Sequence, residues 1–97
     1  MRAAAMVERE VRVVNRLGLH ARAAARLVRT ASAYACALRI EREDRSASAD
    51  AKSILSVLML AASRGTRLRV TADGAGEGEA LGAVCDLISS GFGESEE

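Results

Sequence analysis

The chain has 97 residues and a formal net charge of +1, with 14 Lys and Arg against 13 Asp and Glu. That length suits one domain, and the charge balance argues against bulk attraction to nucleic acid or to an anionic membrane. Nearly half the residues are apolar, yet the only aromatic residues are Tyr34 and Phe92, so the core must be built from Leu, Ile, Val and Ala.

Segment 8–14 alternates, with Val11 and Val13 on one face, and predicts a strand. A loop with Gly18 follows. Over 21–32 the period becomes helical, because Ala24, Leu27, Val28 and Ala31 form one stripe and Arg22, Arg26 and Arg29 lie opposite. Segment 36–41 alternates again, with Cys36, Leu38 and Ile40 inward. A charged turn at 42–45 leads to a short return strand at 46–50, with Ala47 and Ala49 inward. Ser53 stands before the apolar run 54–62 as a helix N-cap, and Gly65 is placed to end that helix. Segment 67–71 is a strand with Leu68 and Val70 inward. After the turn at Asp73-Gly74, a last helix is expected over 77–90, with Ala80, Leu81, Val84, Leu87 and Ile88 buried and Gly91 as its stop. The order is βαββαβα, and each strand has a single apolar face. Helices on one face of an antiparallel sheet, an α+β layer structure, are therefore expected. One domain is expected over 8–94, with tails at 1–7 and 95–97 and Met6 as a second candidate start.

Cys36 and Cys85 lie far apart in apolar contexts and read as reduced core residues. Two cysteines and one histidine fall short of the roughly four ligands of a structural zinc site, so neither a metal nor a cofactor is expected. No apolar run reaches membrane-spanning length, and residues 1–5 are too short for a signal peptide, so a cytoplasmic monomer without membrane insertion is expected.

His20 is the one histidine, placed where the Gly18 loop meets the start of the first predicted helix. A helix N-terminus offers unpaired N–H groups and a partial positive charge, which suit an anion such as phosphate. Arg22 can add charge-assisted bonds. A neutral imidazole is a competent nucleophile. The segment Gly18-Leu19-His20-Ala21-Arg22 is thus suited to hold a phosphohistidine, although position alone also fits a plain helix cap.

Asn15-Arg16-Leu17-Gly18-Leu19-His20-Ala21-Arg22-Ala23-Ala24 resembles the active-site segment of the HPr family, the phosphocarriers of the bacterial phosphotransferase system. Two further segments at the family's spacing add to this. Lys52 through Leu60 resembles the second helix and its regulatory serine segment. Ala72-Asp73-Gly74, Glu79-Ala80-Leu81 and Ser90-Gly91-Phe92-Gly93-Glu94 resemble the end of the domain. The resemblance implies an open-faced sandwich, a four-stranded antiparallel sheet under three helices. It implies that His20 takes a phosphoryl group on Nδ1 from phosphoenolpyruvate through Enzyme I and passes it to an Enzyme IIA-type acceptor. Arg22, with Ala21 beside it, matches the phosphoryl-binding position, and Ser53 matches the serine modified by HPr kinase/phosphorylase. Ala23 stands where the family usually has proline. The opening Asn-Arg-Leu-Gly also resembles NPr, the nitrogen-branch relative.

Two surfaces frame the site. Arg22, Arg26 and Arg29 read either as a solvated face or as a docking rim. In the second helix Val57 and Leu60 are expected to face the sheet, which leaves Ile54, Leu55 and Leu58 as an apolar patch. An apolar centre with a basic rim fits a transient protein interface. A regulatory binding module acting through Ser53 and the second helix is the alternative to a carrier. An independent hydrolase lacks a nucleophile–base pair near His20.

Overall fold

The computed structural model describes residues 6–94. The chain runs β1 (Val7–Arg12), α1 (Ala21–Ser32), β2 (Ala37–Arg42), β3 (Ser48–Asp50), α2 (Ile54–Met59), β4 (Arg67–Asp73) and α3 (Glu77–Ser89), then a short helical turn at Gly91–Gly93. The expected tail residues 1–5 and 95–97 lie outside the described residues. Val7, expected in the tail, opens β1.

The four strands pair antiparallel in the order β1-β4-β2-β3. β1 and β2 therefore run in the same direction with β4 slotted between them, and β3 and β4 do so around β2. α3 lies over β1 and β4, α2 lies beside β3, and α1 packs against both helices. The inward sides of the strands supply Leu38, Ile40, Ala49, Leu68, Val70 and Ala72, all buried. The helices answer with Ala24, Leu27 and Ala31 from α1, Val57 from α2, and Ala80, Leu81, Val84 and Ile88 from α3. Both cysteines are free and buried, and burial pushes the Cys85 thiol up from its ordinary pKa.

The register sets the place of the loops that matter. Arg12 pairs with Arg67, so the chain leaving β1 emerges beside the chain entering β4. The Val13 N–H donates to Thr66 O at 3.0 Å, and the Gly65 N–H donates to Val13 O at 2.7 Å. Val13, expected inside the strand, therefore lies beyond its end but is still buried.

Three expectations need correction. β3 is shorter than 46–50, because Asp44 ties the hairpin turn instead: its Oδ1 accepts from the Ser46 N–H at 2.9 Å and from the Ser46 hydroxyl at 2.6 Å. Those bonds, with Arg42 adding to them, lower the Asp44 carboxyl to about 2. α2 stops at Met59, not at Ala62, and Gly65 does not end it. Ala61 turns the chain with φ of 51°, and the Arg42 guanidinium donates to the carbonyls of Leu60 at 3.0 Å and Ala61 at 3.3 Å. A side chain from β2 thus meets helix-end carbonyls that a longer helix would have bonded internally. Third, the core is not built from Leu, Ile, Val and Ala alone, because Phe92 joins it. It is fully buried and heads the buried side chains by size. Gly91 does end α3 as expected, at φ of 71° just past the cap Ser90.

Candidate functional site

The site is built on the turn between β1 and α1. Gly18 has φ of 66°, and a Cβ there would lie 2.4 Å from the Ala62 carbonyl oxygen, so no other residue fits. That close approach lets the Leu19 N–H donate to Ala62 O at 2.9 Å while the Leu19 side chain is buried. The loop is thereby fastened to the segment that follows α2. The His20 N–H donates to Gly18 O at 2.9 Å, and His20 itself is the N-cap of α1, with φ of −73° and ψ of 178°.

The ring of His20 has a different partner on each nitrogen. Nε2 lies 2.6 Å from Oε2 of Glu94, and Nδ1 lies 3.2 Å from the Arg22 backbone nitrogen. An ionised carboxylate can only accept and a backbone N–H can only donate. The proton therefore sits on Nε2, and Nδ1 carries the lone pair at the start of α1. His20 thus caps the helix, and the capping bond leaves the Nδ1 lone pair at the start of α1.

Glu94 arrives on the turn at Gly91–Gly93, which Phe92 anchors in the core. The Arg26 guanidinium donates to the Phe92 carbonyl and holds this strap against α1. Burial raises the Glu94 carboxyl, but hydrogen bonds from His20 and Asn15 and the charge of Arg22 act the other way. The net effect holds it below its ordinary value. Leu17, His20, Arg22, Arg26, Phe92, Gly93 and Glu94 line an open hollow of about 510 Å³.

The depressed Glu94 carboxyl has a consequence in acid. Its ionised form is the one the fold favours, so its contribution to stability is complete above the ordinary glutamate range. That contribution is lost as pH falls through the lower, folded value. Thermal melts of wild type and Glu94→Gln are expected to differ at neutral pH and to converge on acidification. A gap that stays constant into strong acid would remove Glu94 from the pair.

A family model for the PTS HPr component phosphorylation site matches residues 7–90. The chain belongs to the HPr family. Phosphocarrier protein HPr of Pseudomonas aeruginosa is 47% identical over 87 residues, covering 90% of this chain and 96% of that one. Phosphocarrier protein NPr of Escherichia coli K12 is 38% identical over 88 residues, covering 91% and 97%. The crystal structure of HPr-C-His from Thermoanaerobacter tengcongensis matches with a TM-score of 0.84 at 38% identity, covering 92% of this chain and 98% of that one. The open-faced sandwich expected of the HPr family is the fold observed.

Within this HPr fold the candidate residues fall into three places. His20 and Arg22 share the hollow, joined by the Arg22 N–H, and Ala21 opens α1 beside them. Arg26 also lines the hollow but is tied to Phe92, whereas Arg29 lies farther along α1 and is exposed. Ser53 caps α2, its hydroxyl oxygen accepting from the Ser56 N–H at 3.4 Å. Val57 and Leu60 are buried as expected, Ile54 and Leu55 are exposed, and Leu58 is only partly so. Met59 and Leu17, exposed by 72% and 58%, extend the apolar surface beyond the residues the sequence singled out. Glu94 was missed as a site residue, and it lies outside the segment the family model matches. Among the described residues, no helix is long and apolar enough to cross a membrane.

Proposed function

We propose that this chain accepts a phosphoryl group on His20 Nδ1 from phosphoenolpyruvate through Enzyme I and passes it to an Enzyme IIA-type acceptor. The observation that carries the reading is the division of the ring: Nε2–H bonded to Glu94, Nδ1 free of a proton at the start of α1. In the forward step Nδ1 bonds to phosphorus as the bond from phosphorus to the donor breaks. The ring, still protonated at Nε2, then carries positive charge, and the Glu94 carboxylate beside it offsets that charge. The Arg22 N–H gives up its weak bond to Nδ1 and is placed to meet a phosphoryl oxygen, with the Arg22 guanidinium able to add a second contact. Incubation with Enzyme I and labelled phosphoenolpyruvate tests this. The chain should take up label that is acid-labile and base-stable, as a phosphoramidate is; no uptake would refute it.

The docking surface we propose for Enzyme I and the acceptor runs from Leu17 along the exposed side of α2. Leu55 and Met59 are one turn apart on that helix and so share a face. Arg22 and Arg29 supply basic groups at the rim. Leu55→Glu is expected to weaken Enzyme I binding several-fold with an unchanged melting temperature, because Leu55 is 66% exposed. Unchanged affinity in an NMR titration would move the interface elsewhere. Arg26→Glu is a poorer probe, since it also frees the strap.

For Ser53 we propose two roles, capping and control of docking. α2 has six residues and is about 9 Å long, with Ser53 at one end and the segment touching Leu19 beyond the other. A phosphate from a serine kinase would therefore act on the surface a partner must cover, and not on the imidazole. Ser53→Ala should cost about 1 kcal/mol, and Ser53→Asp should be nearly neutral because Asp caps as well. Ser53→Asp should nonetheless slow transfer from Enzyme I. Melts beside transfer rates decide it: an unchanged rate would leave the cap alone.

A further inference from the structure

Asn15 is buried in the loop after β1, 1% exposed. Its Nδ2 donates twice, to Gly18 O at 2.8 Å and to Glu94 Oε1 at 3.1 Å. Its Oδ1 is buried and has no partner. Both groups facing the nitrogen are acceptors, so the amide cannot be turned to satisfy the oxygen without losing both bonds. The fold leaves one acceptor unpaired and in return keeps two donors on one atom.

Both bonds lead to His20, one to its backbone through Gly18 and one to its ring through Glu94. Gly18 O, the first acceptor, also receives the His20 backbone N–H at 2.9 Å. Glu94, the second, uses its other oxygen to receive Nε2–H at 2.6 Å. The carboxylate therefore bridges Asn15 and the ring, one oxygen to each. A loop residue with only a structural task would need the Gly18 bond alone. The second bond reaches across 79 positions of the chain to Glu94.

We propose that Asn15 is a positioning residue for phosphoryl transfer, acting on His20 through Glu94. This rests on the carrier reading above. Without the Asn15 donor, Glu94 keeps one fixed partner and can rotate away from Nε2, so the ring loses the bond that sets its orientation. Asn15 touches no reacting atom in this arrangement.

The test is proton NMR of the His20 Nε2–H, with no Enzyme I present, in wild type, Asn15→Ala, Glu94→Ala and the double variant. Wild type should show a downfield, slowly exchanging proton. Asn15→Ala should move it upfield and speed its exchange several-fold, and the double variant should match Glu94→Ala. Transfer rates from Enzyme I should fall several-fold in Asn15→Ala, with no further fall when Asn15→Ala is added to Glu94→Ala. A wild-type Nε2–H signal in Asn15→Ala, or additive losses in the double variant, would overturn the proposal. Should Asn15→Ala not fold, the Asn15 side-chain amide is read in wild type and Glu94→Ala. One Nδ2 proton should lose its hydrogen-bonded shift in Glu94→Ala, and an unchanged amide would overturn the proposal. Failure of the carrier reading is separate: it would show as absent label on the wild-type chain, whatever the Nε2–H signal does.

Discussion

His20→Ala is expected to take up no label from Enzyme I and phosphoenolpyruvate. Within the hollow lined by Leu17, Arg22, Arg26, Phe92, Gly93 and Glu94, the His20 ring supplies the one neutral nitrogen lone pair. Arginine has no lone pair to offer, and a carboxyl phosphate on Glu94 would be base-labile where a phosphoramidate is not. The variant should still fold. It loses the bond from the Arg22 N–H, a cap worth about 0.5–2 kcal/mol, and leaves Glu94 with Asn15. A folded His20→Ala chain that still takes up acid-labile label would show that the phosphoryl group sits elsewhere.

Phe92→Ala is expected to be strongly destabilising. Phe92 is fully buried and closes the core beneath the strap. Truncation of a buried phenylalanine costs about 3–5 kcal/mol, a large part of the roughly 5–15 kcal/mol that holds a domain together. For a domain of this size that means a melting temperature lower by more than about 10 °C. The same change should undock Glu94 and so reduce transfer in whatever fraction remains folded. A shift of only a few degrees would mean that the strap does not complete the core.

Most of the fold was legible because its elements bury a face of fixed period. α1 matched its expected span, 21–32, because an apolar stripe, a cap and a loop glycine all agreed. The inward residues of β2 and β4 followed from alternation alone. The end of α2 was not legible, because its carbonyls are met by Arg42, eighteen positions earlier in the chain, and its turn is made by an alanine at φ of 51°. Neither is a local signal. Gly65, which looked like the stop, serves the β1–β4 junction instead.

The site was half legible for the same reason. His20, Gly18 and Arg22 are neighbours in sequence, and their chemistry follows from one short segment. Glu94 is 74 positions from His20, and nothing in its immediate sequence marks it as a partner. One signal was present. Phe92 sits between two glycines in a short acidic segment, and one of only two aromatics in the chain gains most by burial. Docking Phe92 requires a chain path that brings Glu94 back toward α1.

The most direct measurement is the site of the phosphoryl group on the wild-type chain. After reaction with Enzyme I and phosphoenolpyruvate, the imidazole nitrogens of His20 are observed by NMR in a nitrogen-labelled sample, with phosphorus coupling as the marker. The structure predicts coupling at Nδ1 and a retained proton at Nε2. Coupling at Nε2, or a phosphoryl group carried on any other residue, would contradict it.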